Sequence, residues 1–123
     1  MQVTCGTDII EIDRIKESIE NLQDRFLYRV YTQNEINYCE SKKNVKYQHY
    51  AARFAAKEAV FKAISSYLDN KYNIEWKDIE LINDETGRPK INFVNMKIEE
   101  LKQCDISISH CKEYAVANVV CVF

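Results

Sequence analysis

The chain reads as an α+β domain, a largely antiparallel sheet with a long central helix and shorter helices packed on it. Three observations predict this. Residues 50–66, Y-A-A-R-F-A-A-K-E-A-V-F-K-A-I-S-S, form a run of residues that favour or tolerate a helix, with no Gly or Pro. Two capping-box patterns open shorter helices ahead of it. Two hairpin patterns rich in β-branched residues follow it, and helices set against such strands make an α+β architecture.

In chain order, Q-V-T-C-G-T at residues 2–7 is a short first strand closing on a turn at Gly6. Asp8, with Glu11 three residues on, has the form of an N-cap, opening a helix through about Leu22. Ile12, Ile15, Ile19 and Leu22 make its buried stripe, leaving Arg14, Glu17, Ser18 and Asn21 exposed. Arg25 and Arg29 lie four apart just before a second helix, which T-Q-N-E opens at Thr32 with Glu35 and which fades around residues 40–44. The long helix runs from about Tyr47 to Leu68 and ends in D-N-K-Y-N. Two strands then flank the loop D-E-T-G-R-P. Residues 95–103 suggest a short helix with Ile98 and Leu101 facing inward. Finally D-I-S-I-S-H and Y-A-V-A-N-V-V-C-V-F pair around C-K-E, the last strand apolar enough to be buried nearly throughout.

A length of 123 residues makes one domain, 1–123, able to bury roughly two-thirds of its unfolded surface. Hydrophobic residues make up 46%, with two Gly and one Pro, which excludes a disordered chain. The five cysteines, at positions 5, 39, 104, 111 and 121, are odd in number and contain no C-x-x-C pair. They read as reduced thiols of a cytosolic protein, not as a disulfide framework or a zinc site. Asp8, Glu11, Asp13 and Arg14 interrupt any apolar leader, and no run reaches membrane-spanning length, so a soluble protein is expected. Net charge is -2, yet Lys42, Lys43, Lys46, Arg53, Lys57 and Lys62 stand against Glu58 alone in their stretch. On an acidic chain such a local excess points to an anionic ligand or partner and not to a nucleic acid, unless it is a solvated helix face, the commoner meaning of such a run.

Glu58 is the residue that needs explaining. It falls on the long helix between Phe54 and Phe61, on an aromatic stripe, while Ala52, Ala56, Ala59, Val60, Ala63 and Ile64 fill another side. A carboxylate among apolar groups must be paired, hydrogen-bonded or metal-bound. Lys62, one turn on, offers an ordinary helix ion pair. Asp8 offers the other possibility, two hard-oxygen ligands of the kind that suit Mg²⁺ and a substrate phosphate. Arg53, Lys62 and His110 make a cationic set for phosphates, with a satisfied turn histidine as the plain reading of His110. Arg14, Arg25 and Arg29 are available to an acidic protein partner, although exposed arginines usually signify nothing.

G-T-D near residue 8, R-F-A-A-K-E-A at residues 53–59, T-G-R-P at 86–89, S-I-S-H at 107–110 and K-E-Y-A at 112–115 together resemble the holo-acyl-carrier-protein synthases, small 4'-phosphopantetheinyl transferases. The resemblance spans essentially the whole chain, with two departures. Ala52 replaces a customary Gly before Arg53, and Cys111 follows His110 in place of a hydroxyl residue. The resemblance implies that Asp8 and Glu58 bind Mg²⁺ with the pyrophosphate of coenzyme A. The serine of an apo acyl carrier protein then attacks the phosphate bearing the pantetheine arm, releasing 3',5'-ADP, in support of fatty acid biosynthesis. It implies further that Lys62 stabilises the leaving phosphate, that Arg53 and His110 contact coenzyme A phosphates, and that Lys42 or Lys43 reaches the 3'-phosphate. Glu58 would accept the serine proton, directly or through a metal-bound water. Arg14, beside Arg25 and Arg29, would meet the carrier protein. A homotrimer with interfacial active sites and a cytoplasmic location complete what the resemblance implies. The many Tyr and the apolar last strand suit a subunit interface and a monomer core equally. Two other readings are a non-catalytic binding module, which would not require Glu58 as a carboxylate, and a Mg²⁺-dependent phosphotransferase using another donor.

Overall fold

The computed structural model describes residues 1–69 and 74–123. Strand β1 (Val3–Glu11) is followed by helices α1 (Ile12–Leu22), α2 (Asp24–Val30), α3 (Gln33–Glu40) and α4 (Lys46–Ile64). Strands β2 (Ile79–Asn83), β3 (Pro89–Phe93), β4 (Gln103–His110) and β5 (Tyr114–Val122) complete the chain. The α+β architecture is the expected one, but the antiparallel strands divide into a three-stranded sheet, β1-β5-β4, and a β2-β3 ribbon. The D-N-K-Y-N turn lies outside the described residues beyond Asp69.

Helix α4 lies across one face of the larger sheet. Its small residues Ala55, Ala56, Ala59 and Ala63 are buried there with Val60 and Ile64, and small side chains are what let a helix sit close to a sheet. Gly6 completes the fit: an added Cβ would lie 1.9 Å from the Ala59 carbonyl oxygen. So Gly6 is not the end of the strand but its point of closest approach to the helix. Thr4 Oγ1 donates to the Ala63 carbonyl at 2.6 Å, a second tie between the two elements.

Because β1 continues to Glu11, Asp8 is not a helix cap. Its neighbours Ile9 and Ile10 pair with Val116 and Ala115 on the central strand, and those long-range bonds outcompete the local capping pattern. Helix α1 starts at Ile12, and Glu11 makes no side-chain cap bond. The box at Thr32 is as expected: Thr32 caps the Glu35 amide and Glu35 caps Thr32. Three further expectations fail. Leu22 is exposed. Arg25 and Arg29 belong to α2, set off from α1 by Gln23 at φ 50°; Phe26, Leu27 and Val30 carry the helical spacing that marks it. Residues 95–103 form no helix, since Asn95 takes φ 56° and Leu101 N–H closes a turn on the Ile98 carbonyl. Ile98 nevertheless faces the core.

Lys57 gives the largest surprise. It is 1% exposed, and its Nζ meets Glu35 Oε1 at 2.7 Å with both side chains fully enclosed. It also donates to the carbonyls of Trp76, at 3.1 Å, and Ile79. Glu35 in turn accepts from the Thr32 amide and, at 2.9 Å, from the Leu81 amide. Thus α3, α4 and β2 meet at one satisfied ion pair, and the basic stretch is divided: Arg53 and Lys57 are buried, while Lys43 and Lys62 face solvent. The last strand is buried on alternate residues only: Ala115, Ala117, Val119 and Cys121 face α4, while Tyr114 and Val120 point away from it. With Val3 and Ile9 on β1, 57% and 62% exposed, they place apolar side chains on the outer face of the sheet, among polar ones such as Thr7, Ser107 and Asn118.

Candidate active site

The close contact at Gly6 brings the strand end bearing Asp8 beside α4. Lys62, on α4, donates to Asp8 Oδ1 at 3.2 Å and to the Thr7 carbonyl at 2.9 Å, across 54 and 55 residues of chain. Its ion pair is therefore with Asp8, and the plain helix pair with Glu58 is not what forms. Glu58 lies in the same field: burial raises its pKa, the Asp8 charge raises it further, and Lys62 partly offsets both. Two carboxylates repelling each other next to one lysine are poised for a cation.

Among the described residues no group of three or more His, Cys, Asp or Glu side chains gathers to hold a metal ion. Asp8 and Glu58 are the two carboxylates of this cluster that could hold a cation. That fits Mg²⁺, which keeps several waters and is commonly held by one or two carboxylates plus substrate phosphates. A pH dependence follows. Glu58 holds its proton more tightly folded than unfolded, so its contribution to stability is present below the ordinary carboxylate range and is lost as pH rises through its raised pKa. Mg²⁺ should offset that loss. Melting curves with and without Mg²⁺ should diverge over this window in the wild type and much less in Glu58→Gln; a gain equal at every pH, or equal in the variant, would contradict the assignment.

Nine residues before Lys62 on α4, roughly 13 Å at 1.5 Å per residue, Arg53 anchors a second cluster. It is 3% exposed, its guanidinium lies 4.1 Å from the centre of the Tyr38 ring, and Nη2 donates to Asn83 Oδ1 at 2.9 Å. Its Nε is buried without a partner. Lys42 Nζ is 4.8 Å from the Tyr38 ring, and His49 packs its ring against Tyr38 at 5.6 Å. His110, at the end of β4, lies 6.4 Å from His49. Burial, then Arg53, Lys42 and His110, lower the pKa of His49. Four groups that are or can become positive crowd one place, the arrangement a phosphate would relieve.

The structure thus joins Asp8, Glu58 and Lys62 in one cluster and Lys42, Arg53 and His110 in another. Lys43 stands exposed at φ 52° in the tight turn before α4. Arg14 on α1 and Arg25 and Arg29 on α2 are all exposed. His49 and Tyr38 escaped the sequence reading, although His49 sits one turn before Arg53 and so on the same helical face. Beside Glu58 a cavity of about 290 Å³ is lined by Lys57, Phe61, Ile74, Glu75, Trp76 and Ile79.

A family model described as the 4'-phosphopantetheinyl transferase superfamily matches residues 4–119. The holo-acyl-carrier-protein synthase of Ruminiclostridium cellulolyticum is 46% identical over 125 residues, covering 98% of this chain and 92% of that protein. Among solved structures, the holo-acyl-carrier-protein synthase of Bacillus anthracis in complex with CoA (3',5'-ADP) aligns with a TM-score of 0.77 and 35% identity, covering 96% of this chain and 94% of that one. That of Helicobacter pylori in complex with coenzyme A has a TM-score of 0.82 and 28% identity, covering 96% and 99%. The chain is therefore an enzyme of the phosphopantetheinyl transferase class. Within that superfamily it belongs to the holo-acyl-carrier-protein synthase family.

Proposed function

We propose that the protein transfers 4'-phosphopantetheine from coenzyme A to a serine of an apo acyl carrier protein, in a Mg²⁺-dependent reaction that releases 3',5'-ADP and supports fatty acid biosynthesis. The observation that carries this reading is the convergence of Asp8 with Glu58 and Lys62, which follow it by 50 and 54 residues. Asp8 and Glu58 would hold the Mg²⁺, which when bound supplies charge neutralisation to the pyrophosphate. Lys62, already within reach of Asp8, stabilises the leaving phosphate. Glu58 accepts the serine proton as the hydroxyl attacks the phosphate bearing the pantetheine arm. Lys42, Arg53 and His110 bind further coenzyme A phosphates, Lys43 extends that reach, and the largely apolar cavity beside Glu58 suits the uncharged arm. The rest is positioning, as in phosphoryl transfer generally.

Acyl carrier proteins are acidic, so the exposed Arg14, Arg25 and Arg29 steer their encounter. The single domain, 1–123, assembles as a homotrimer through the outer face of the sheet, where the apolar Val3, Ile9, Tyr114 and Val120 are exposed. Among the described residues no helix is long and apolar enough to cross a membrane, and the free cysteines suit a reducing cytoplasm.

The test is the intact mass of an apo acyl carrier protein after incubation with the protein, coenzyme A and Mg²⁺. A phosphopantetheine gain is expected, and it should vanish in Glu58→Gln and after chelation. A gain retained by the variant would remove Glu58 from its role. No gain on several carriers, from folded protein that binds coenzyme A, would overturn the reaction itself.

A further inference from the structure

Cys104 and Cys121 are direct cross-strand partners in the β4-β5 pairing. Which kind of antiparallel site they occupy can be read from the flanking bonds. Gln2 and Phe123 exchange both backbone hydrogen bonds, and Ile12 N–H donates to the Glu113 carbonyl, so odd-numbered residues of β5 direct their backbone groups to β1. Even-numbered residues therefore bond to β4, as Tyr114 does in accepting from Cys111 N–H and Val122 in accepting from Lys102 N–H. The pair Cys104–Cys121 is thus a non-hydrogen-bonded site, the kind in which opposing Cα atoms are about 4.5 Å apart and side chains are nearest. That separation falls inside the roughly 4.4–6.8 Å span of disulfides.

Both thiols point to the α4 side of the sheet and pack into the same core cluster. The neighbouring thiol raises the pKa of Cys104 and lowers that of Cys121, so access and not acidity makes Cys104 the first to react. Cys121 is buried and Cys104 is partly exposed, so a small reagent reaches the pair from the Cys104 side. The other cysteines have no such neighbour in the pairing: Cys5 opposes Val120 on the outer face, Cys111 is at the hairpin tip and Cys39 lies in α3.

We propose that Cys104 and Cys121 form a reversible redox modification site, a dithiol that a small disulfide such as oxidised glutathione closes into an intrachain bridge. In the first exchange the Cys104 sulfur displaces one glutathione and becomes a mixed disulfide. Cys121 then attacks the Cys104 sulfur and releases the second glutathione, each thiol giving up its proton. The protein loses two electrons and two hydrogens, and glutathione disulfide is reduced to two thiols. In a reducing cytoplasm the open form prevails, which is why the site is a switchable one and not a structural bridge.

The test uses full-length protein carrying Cys5→Ser, Cys39→Ser and Cys111→Ser, with melting curves to show that it is folded, incubated with oxidised glutathione and then mass-analysed without reduction. The expected product has lost two hydrogens, carries no glutathione and reverts with dithiothreitol. Adding Cys121→Ser should leave one glutathione on Cys104, and adding Cys104→Ser should leave the protein unreacted. A stable glutathione adduct on the two-cysteine protein, or no reaction at all, would overturn the proposal.

Discussion

Gly6→Ala should yield little or no folded protein. The new methyl would sit 1.9 Å from the Ala59 oxygen, 2.9 Å from its carbon and 3.1 Å from the Ala63 nitrogen. All three are backbone atoms, so no rotamer change relieves the clash. Overpacking ordinarily costs about 1–3 kcal/mol when side chains can shift, and here β1 or α4 must move as a unit, so a loss beyond the upper end is expected. Chemical denaturation and melting curves measure it. Any residual folded fraction should also lose activity, because displacing β1 withdraws Asp8 from Lys62 and Glu58. Adding Ala59→Gly makes a sharp control: it removes a side chain but leaves the offending carbonyl, so it should not rescue. Near-wild-type stability of Gly6→Ala, or rescue by Ala59→Gly, would show that helix and strand do not approach as closely as described.

Lys57→Met should be the next most damaging change, at about 3–5 kcal/mol, the usual cost of stranding a buried charge. Methionine fills most of the volume, so the loss reports on Glu35, left enclosed without its cation. Burial lowers the Lys57 pKa and the Glu35 charge pulls it back, so Lys57 depends on Glu35 to stay charged. Combining Lys57→Met with Glu35→Gln should therefore cost less than the sum of the two single changes, since the uncharged amide no longer needs a cation. Some loss must remain, because Glu35 also caps α3 at Thr32 and accepts from the Leu81 amide. Additive losses in a double-mutant cycle of denaturation midpoints would argue that the pair is not coupled.

These two positions show where local pattern stops being informative. A basic residue in a run of lysines gives no sign that it is enclosed; Lys57 differs from Lys46 or Lys62 only in what α3 and β2 place against it. Gly6 looks like a turn, because a glycine needed for close packing and one needed for positive φ are the same letter. Asp8 and Glu11 make a capping box by spacing, yet the backbone they would cap is committed to β5. In the site, Glu58 drew notice as a carboxylate among aromatics, but its relation to Asp8 and the capture of Lys62 by Asp8 depend on a contact across half the chain. The His49–His110 neighbourhood likewise joins a helix to a strand end and has no local trace.

What the sequence by itself determined is the set of features whose causes are local. These are the long α4 with its alanine face, the Thr32–Glu35 box, the two antiparallel hairpins and their loops, and the short strings that mark the family. Tertiary structure alone decided the run of β1 through Asp8, the bend at Gln23, the failure of residues 95–103 to form a helix, the burial of Arg53 and Lys57, and the partner of Lys62. The physical reason is common to all of these. Propensity and capping act over a few residues and are modest in energy, whereas strand pairing, close helix-to-sheet contact and buried charge are settled by groups remote in sequence. Where the two conflict, the long-range terms prevail, and in this protein they prevail most often around the residues that make the site.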